Sequence, residues 1–165
     1  MIDRRESYRL SLHNPVVLKP VNFIAFCREM KSTLPYFEQR PDETLLIRNP
    51  DEDVYQEKIT NFIHSRRCEG ITKDISAGGI SVYVECRSIQ VGRHVAALTS
   101  NENLTFPYPL LGKILGYEKS ELMKSAFSYF VRIKFLYVSQ RVDALIYRFI
   151  FNMQREYLSK GIRLE

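Results

Sequence analysis

Apolar positions along the chain change period three times. Between Val21 and Leu34, Phe23, Phe26, Cys27, Met30 and Leu34 recur at three- and four-residue steps, the spacing of one helix face. Pro35 ends that helix, because a proline disfavours helical backbone in the residue before it. Pro50-Asp51 signals a second helix start, with Asp51, Glu52 and Asp53 suited to the positive end of its dipole. Val54, Tyr55, Ile59, Phe62 and Ile63 carry its stripe to about Arg66. From Glu69 the period becomes two. Ile71–Ser76 reads as a strand, Ala77-Gly78-Gly79 as a turn and Ile80–Val84 as the returning strand. His94–Thr99, Leu110–Tyr117 and Tyr129–Tyr137 read as further strands, with a turn at Asn101-Glu102-Asn103 and a hairpin loop over 118–126. Leu10–Lys19 is β-rich, and residues 36–50 are irregular apart from a short strand at Thr44–Ile47. At the end, Val142, Leu145, Ile146, Phe149, Ile150, Met153 and Tyr157 form one face of an amphipathic helix. Ser139 is its expected N-cap and Gly161 its C′ residue, while Arg141, Arg148 and Arg155 repeat on the polar side.

Five to seven short antiparallel strands with a closing helix describe a mainly β protein with added helices. The expected fold is an antiparallel β-barrel of about six strands, a C-terminal amphipathic helix and a helical pair at about 20–66. A length of 165 residues fits one domain, 1–165, and needs no disulfide or metal staple. Hydrophobic residues at 45% and charged residues at 26% exclude disorder, collagen and a coiled-coil rod. Three cysteines, Cys27, Cys68 and Cys86, form no CxxC pair, and their odd number argues against a secreted disulfide framework. The first ten residues lack the apolar core of a signal peptide, and no apolar run reaches the length of a membrane span. The expected location is cytoplasmic; whether another domain precedes Met1 stays open.

A net charge of +5 favours an anionic partner without choosing among nucleotide, nucleic acid and membrane surface. Two clusters narrow that choice. In Arg4-Arg5-Glu6-Ser7-Tyr8-Arg9, Arg5 and Arg9 stand in R-x-x-x-R spacing. Guanidinium forks grip phosphate or the O6/N7 edge of guanine bidentately. In Asp74-Ile75-Ser76-Ala77-Gly78-Gly79, Asp74 and Ser76 point the same way from a strand, and the carboxylate suits the N1–H and N2–H₂ of guanine. The glycine turn lets backbone approach a ligand closely. His13, His64 and His94 have no local metal-ligand spacing, and Cys27 sits on an apolar stripe. No Walker A, G-x-G-x-x-G or G-x-S-x-G occurs, so no catalytic constellation emerges and the expected chemistry is binding, with no cofactor.

Taken together, R-x-x-x-R before the barrel and D-x-S-x-x-G on a strand–turn–strand resemble the PilZ domain, a family of cyclic di-GMP receptors. The resemblance covers residues 3–19 and 68–160. It implies that Arg5 and Arg9 bind guanine faces and phosphates from a flexible arm, with Asp74, Ser76 and Gly79 on the barrel surface. Arg4, just before the motif, is compatible with an intercalated ligand dimer, two per protomer. The chain departs from the family in two places. Residues 20–66 are longer than the usual connection and look like an insertion. Arg132 stands near a position where the family carries glycine, and reads as a ligand cation, an obstruction or a solvated strand residue. The inserted stripes read as cover for the barrel or as a contact between protomers. The function implied is a non-enzymatic cyclic di-GMP receptor acting on a protein partner in motility, secretion or exopolysaccharide control. The alternative is a structural protein–protein module assembled through the inserted helices. Stacking aromatics among the basic residues are too sparse for a nucleic-acid binder.

Overall fold

The computed structural model describes residues 14–48, 51–76, 78–85, 92–99, 104–119 and 129–159. Eight strands and three helices follow in the order β1 (Pro15–Pro20), α1 (Phe23–Thr33), β2 (Glu38–Gln39), β3 (Leu45–Leu46), α2 (Glu52–Ile59), β4 (Cys68–Ser76), β5 (Gly79–Val84), β6 (His94–Leu98), β7 (Leu110–Lys119), β8 (Tyr129–Phe135) and α3 (Gln140–Ser159). Six strands close an antiparallel barrel in the order β1-β4-β5-β8-β7-β6, and β6 returns to β1 through Leu18 opposite Ala97. β2 and β3 form a separate hairpin.

Strand alternation puts Val16, Leu18, Ile75, Ile80, Val82, Val84, Val131 and Ile133 into the barrel, all nearly or fully buried. Two bulges interrupt the ladders. One lies between Thr72 and Asp74 on β4, the other between Ile114 and Gly116 on β7. The β4 bulge decides which way the motif faces. Thr72 is buried, so strict alternation would turn Asp74 inward as well; the extra residue, Lys73, shifts the register and leaves Asp74 on the outer surface.

The helical pair between β1 and β4 packs onto the protein's own barrel. Phe23, Phe26, Cys27 and Met30 of α1 and Tyr55 and Ile59 of α2 belong to the same buried core as the strands. Phe26 meets Tyr55 and Phe62 edge to face, with centroids 5.8 and 5.9 Å apart. Tyr55 is fully buried; its hydroxyl donates to the Pro109 carbonyl and accepts from the Leu111 N–H, both at 3.3 Å. That pairing satisfies a polar group that burial would otherwise penalise, and burial pushes its phenol far above the usual range. Asn22 caps α1, its side chain accepting from the Ala25 N–H at 3.2 Å. Ser139 caps α3 as expected, accepting from the Val142 N–H and from the Tyr108 hydroxyl at 2.6 Å.

Three local expectations are corrected. α2 does not run to Arg66: it ends at Ile59, and a 3₁₀ turn covers Thr60–Phe62. There the chain turns extended because Ile63 pairs with Val21, with the His64 N–H donating to the Pro20 carbonyl at 2.9 Å. The short strand expected at Thr44–Ile47 is present as Leu45–Leu46, but it does not stand alone, since Glu38–Gln39 pairs with it. Glu118 and Lys119 belong to β7 rather than to a loop. Gly161, the turn at 101–103 and the loop from 120 lie outside the described residues. Among the described residues no helix is long and apolar enough to cross a membrane.

Candidate functional site

β4 and β5 form a hairpin in which Ser76 stands opposite Gly79 and Asp74 opposite Ser81. β8 continues both rows, Lys134 beside Gly79 and Arg132 beside Ser81. β7 completes them with Lys113 and Gly116. Inward neighbours Ile75, Ile80 and Ile133 are buried, so both rows lie on the barrel's outer face. One row reads Asp74–Ser81–Arg132–Gly116 and the next Ser76–Gly79–Lys134–Lys113. Asp74 and Arg132 are two strand spacings apart, about 10 Å.

Asp74 and Ser76 are thus brought together on one surface, as expected, and both are partly exposed. Among the described residues Asp74 has no ion-pair or hydrogen-bond partner for its carboxylate. Gly79 has a packing task that the motif did not announce. It is a strand residue rather than part of the turn, and its φ is not positive. A Cβ there would stand 2.3 Å from the Ile133 carbonyl oxygen, so glycine is what lets β5 and β8 close. Arg132 is exposed, and its guanidinium lies across Gly116; a Cβ on Gly116 would come within 2.7 Å of Nη2. The absence of a side chain on β7 gives this cation its place. Arg4, Arg5, Arg9, His13 and Cys86 lie outside the described residues.

Residues that the sequence motifs did not single out complete the surface. Lys73, the bulge residue, holds its ammonium 5.0 Å above the Phe130 ring, and Phe130 lies 5.4 Å from Tyr83. Lys73 thus caps an aromatic pair, Phe130 and the buried Tyr83, with a cation–π contact. Ser81, buried though on the outer side, was placed in this row only by the hairpin register; Arg132, singled out from the sequence, is exposed.

The hairpin of β2 and β3 reaches across the basic row. Asp42 pairs with Lys134 at 3.3 Å, and Glu43 pairs with Lys113 and with His94 Nε2, the latter at 3.3 Å. Glu43 adopts a left-handed φ of 69°, unusual without glycine, at the point where the turn delivers its carboxylate. Hydrogen bonds from the Thr44 hydroxyl and N–H hold Asp42 down to about 2. A hydrogen bond from Lys113 lowers Glu43. Burial lowers His94, which stacks on Phe23 with centroids 4.0 Å apart, so His94 is neutral at pH 7 and the charged partner of Glu43 is Lys113. Cys27 is core, as expected, its thiol raised to about 11 by burial. No group of His, Cys, Asp and Glu among the described residues has the makings of a metal site.

No protein-family model matches the chain, and no curated protein matches it. Solved structures do. The PilZ domain with c-di-GMP of YcgR from Escherichia coli aligns at a TM-score of 0.50 and 13% identity, over 96% of this chain and 98% of that one. YcgR in complex with c-di-GMP from Escherichia coli aligns at 0.50 and 15%, over 97% of this chain and 50% of the longer one. A tetrameric PilZ domain from Xanthomonas campestris aligns at 0.49 and 12%, over 93% and 88%. The closed six-strand barrel with its C-terminal helix matches the two Escherichia coli YcgR structures, and the chain has the PilZ-domain fold.

Proposed function

We propose that the chain is a PilZ-family receptor for cyclic di-GMP and that it binds this ligand without transforming it. The observation that carries the reading is the outer-face row of Asp74, Ser81 and Arg132, beside Ser76 and Gly79, on a fold that binds the dinucleotide in YcgR. Asp74 accepts from a guanine edge, Ser76 supplies a hydroxyl, and Arg4, Arg5 and Arg9 grip phosphates and guanine faces from the N-terminal side. Arg132 joins them as a ligand cation, its guanidinium laid across β7 where Gly116 leaves room. Cyclic di-GMP carries two phosphates, and two stacked copies carry four negative charges. Arg4, Arg5, Arg9 and Arg132 match that requirement, so the proposed stoichiometry is two ligands per protomer. Residues 20–66 act as an inserted cover of the barrel and make no contact with cyclic di-GMP. The proposed output is a changed surface read by a protein partner in the cytoplasm, in control of motility, secretion or exopolysaccharide.

Titration calorimetry tests the reading. Cyclic di-GMP is expected to bind with a molar ratio of two and to weaken in Asp74→Ala, with a short DNA as a silent control. Absence of heat with cyclic di-GMP, or binding that Asp74→Ala leaves unchanged, overturns it.

One observation favours a second reading, assembly with another protein. Tyr147, Phe151 and Leu158 of α3 are 58%, 58% and 67% exposed, more than scattered polar-surface packing needs. The inserted helices do not supply such a surface, because their apolar faces are buried in the barrel. Changing Tyr147 and Phe151 to Ser, followed by light scattering of the intact protein, checks it: an unchanged mass speaks against assembly through α3.

A further inference from the structure

Beyond the barrel-face site, the molecule holds a cavity of about 960 Å³ between α1, the segment leading into β4, and the start of β6. Its size lies at the upper end of small-molecule sites. Phe23, Val95 and Ile114 contribute an apolar floor, and the Phe23 ring there is stacked on neutral His94. Arg28 and Lys31 from α1 and Arg66 from the following segment stand on its rim, all exposed. Among the described residues none of these three has an acidic partner. Glu43 is the only carboxylate among the described lining residues, and Lys113 already holds it. The cavity is therefore an apolar, aromatic floor under a cluster of unneutralised cations. It is distinct from the barrel-face site. Cys68 lines it at the first residue of β4, whereas Asp74 and Ser76 sit six and eight residues further on, about 20–26 Å along the strand.

We infer that this cavity binds a nucleoside phosphate, with the base on the apolar floor and the phosphates against Arg28, Lys31 and Arg66. The chemistry divides in two. A planar, weakly polar body gains from leaving water against Phe23, Val95 and Ile114. A compact polyanion gains from cations that converge on it from two elements at a partly enclosed mouth. An extended acidic peptide uses neither the depth nor the ring.

ATP serves as the probe, with pyrophosphate and adenosine as its halves, titrated into the full chain by calorimetry and by methyl NMR. ATP is expected to bind at one per protomer and to shift the Val95 and Ile114 methyl signals. The exposed double variant Arg28→Ser/Arg66→Ser is expected to weaken ATP at least tenfold with an unchanged melting temperature. Asp74→Ala is expected to leave ATP binding intact, whatever happens to cyclic di-GMP, which keeps this inference separable from the receptor reading. Three results overturn it: no ATP binding at millimolar concentration, pyrophosphate binding as tightly as ATP, or ATP binding lost in Asp74→Ala but retained in the rim variant.

Discussion

Asp74 and Gly79 belong to one motif but are held by different forces, and their variants separate. Asp74 is partly exposed and carries no partner among the described residues, so Asp74→Ala costs little stability. It is expected to weaken cyclic di-GMP at least tenfold, since a charge-assisted contact is worth about 1.5–3 kcal/mol. Gly79→Ala drives a methyl into the Ile133 carbonyl oxygen and splays β5 from β8. The expected loss is about 1–3 kcal/mol in denaturant unfolding. Equal melts for the two variants, with binding following stability, would mark the segment as a plain structural hairpin. Arg5→Ala and Arg9→Ala are expected to match Asp74→Ala in binding, with lysine failing to rescue because a point charge lacks the guanidinium fork. Arg4→Leu is expected to lower the molar ratio from two towards one. At this scale the sequence exposed the residue types and their spacing, and with them the side on which Asp74 and Ser76 lie. It did not expose the reason for Gly79, because a close approach between β5 and β8 joins residues more than fifty positions apart.

Two elements set how the barrel is covered. α2 is tied to the barrel by Tyr55, buried against Phe26, Tyr108 and Tyr137 and bonded to the Pro109–Leu111 backbone. Tyr55→Phe leaves those backbone groups unpaired and is expected to cost about 1–3 kcal/mol. Phe62→Asp is expected to destabilise the monomer itself, because Phe62 packs edge-on against Phe26. A folded Phe62→Asp protein of lower mass would instead restore the reading of these helices as an assembly device. The β2–β3 hairpin brings its own pH dependence. His94 has a folded pKa below its usual 6.5, so the unfolded chain takes up the proton first. Stability is full above about pH 6.5 and declines as the pH falls through the lowered value. Glu43 is likewise lowered from 4.5, so its contribution holds above that pH and is lost further down. Melting temperature is therefore expected to fall in two stages on acidification. His94→Phe, which keeps the stack on Phe23, is expected to remove the first stage. A profile that is flat from pH 7 to 5 in the unmodified protein would contradict the burial of His94. Both helices were legible from their apolar stripes. Of the hairpin only the strand at Leu45–Leu46 was legible; its pairing with Glu38–Gln39 was not, because two-residue strands show no periodicity and the turn is closed by ion pairs to distant strands.

For the whole molecule, the period-two segments and the last amphipathic helix carried enough pattern to anticipate a closed barrel of six strands with a C-terminal helix. Pairing order and the two bulges were beyond that pattern, since neighbours such as β5 and β8 are set by long-range packing. The cavity beside α1 was equally hidden, because its cations come from separate elements and fall into no motif. The most direct measurement is a calorimetric titration of the full chain with cyclic di-GMP, run in parallel on Asp74→Ala. The expected result is saturable binding at two ligands per protomer in the unmodified protein and at least tenfold weaker binding in the variant, with matching melting temperatures. Binding absent from the first, or indistinguishable between the two, would contradict a cyclic di-GMP site on the barrel face.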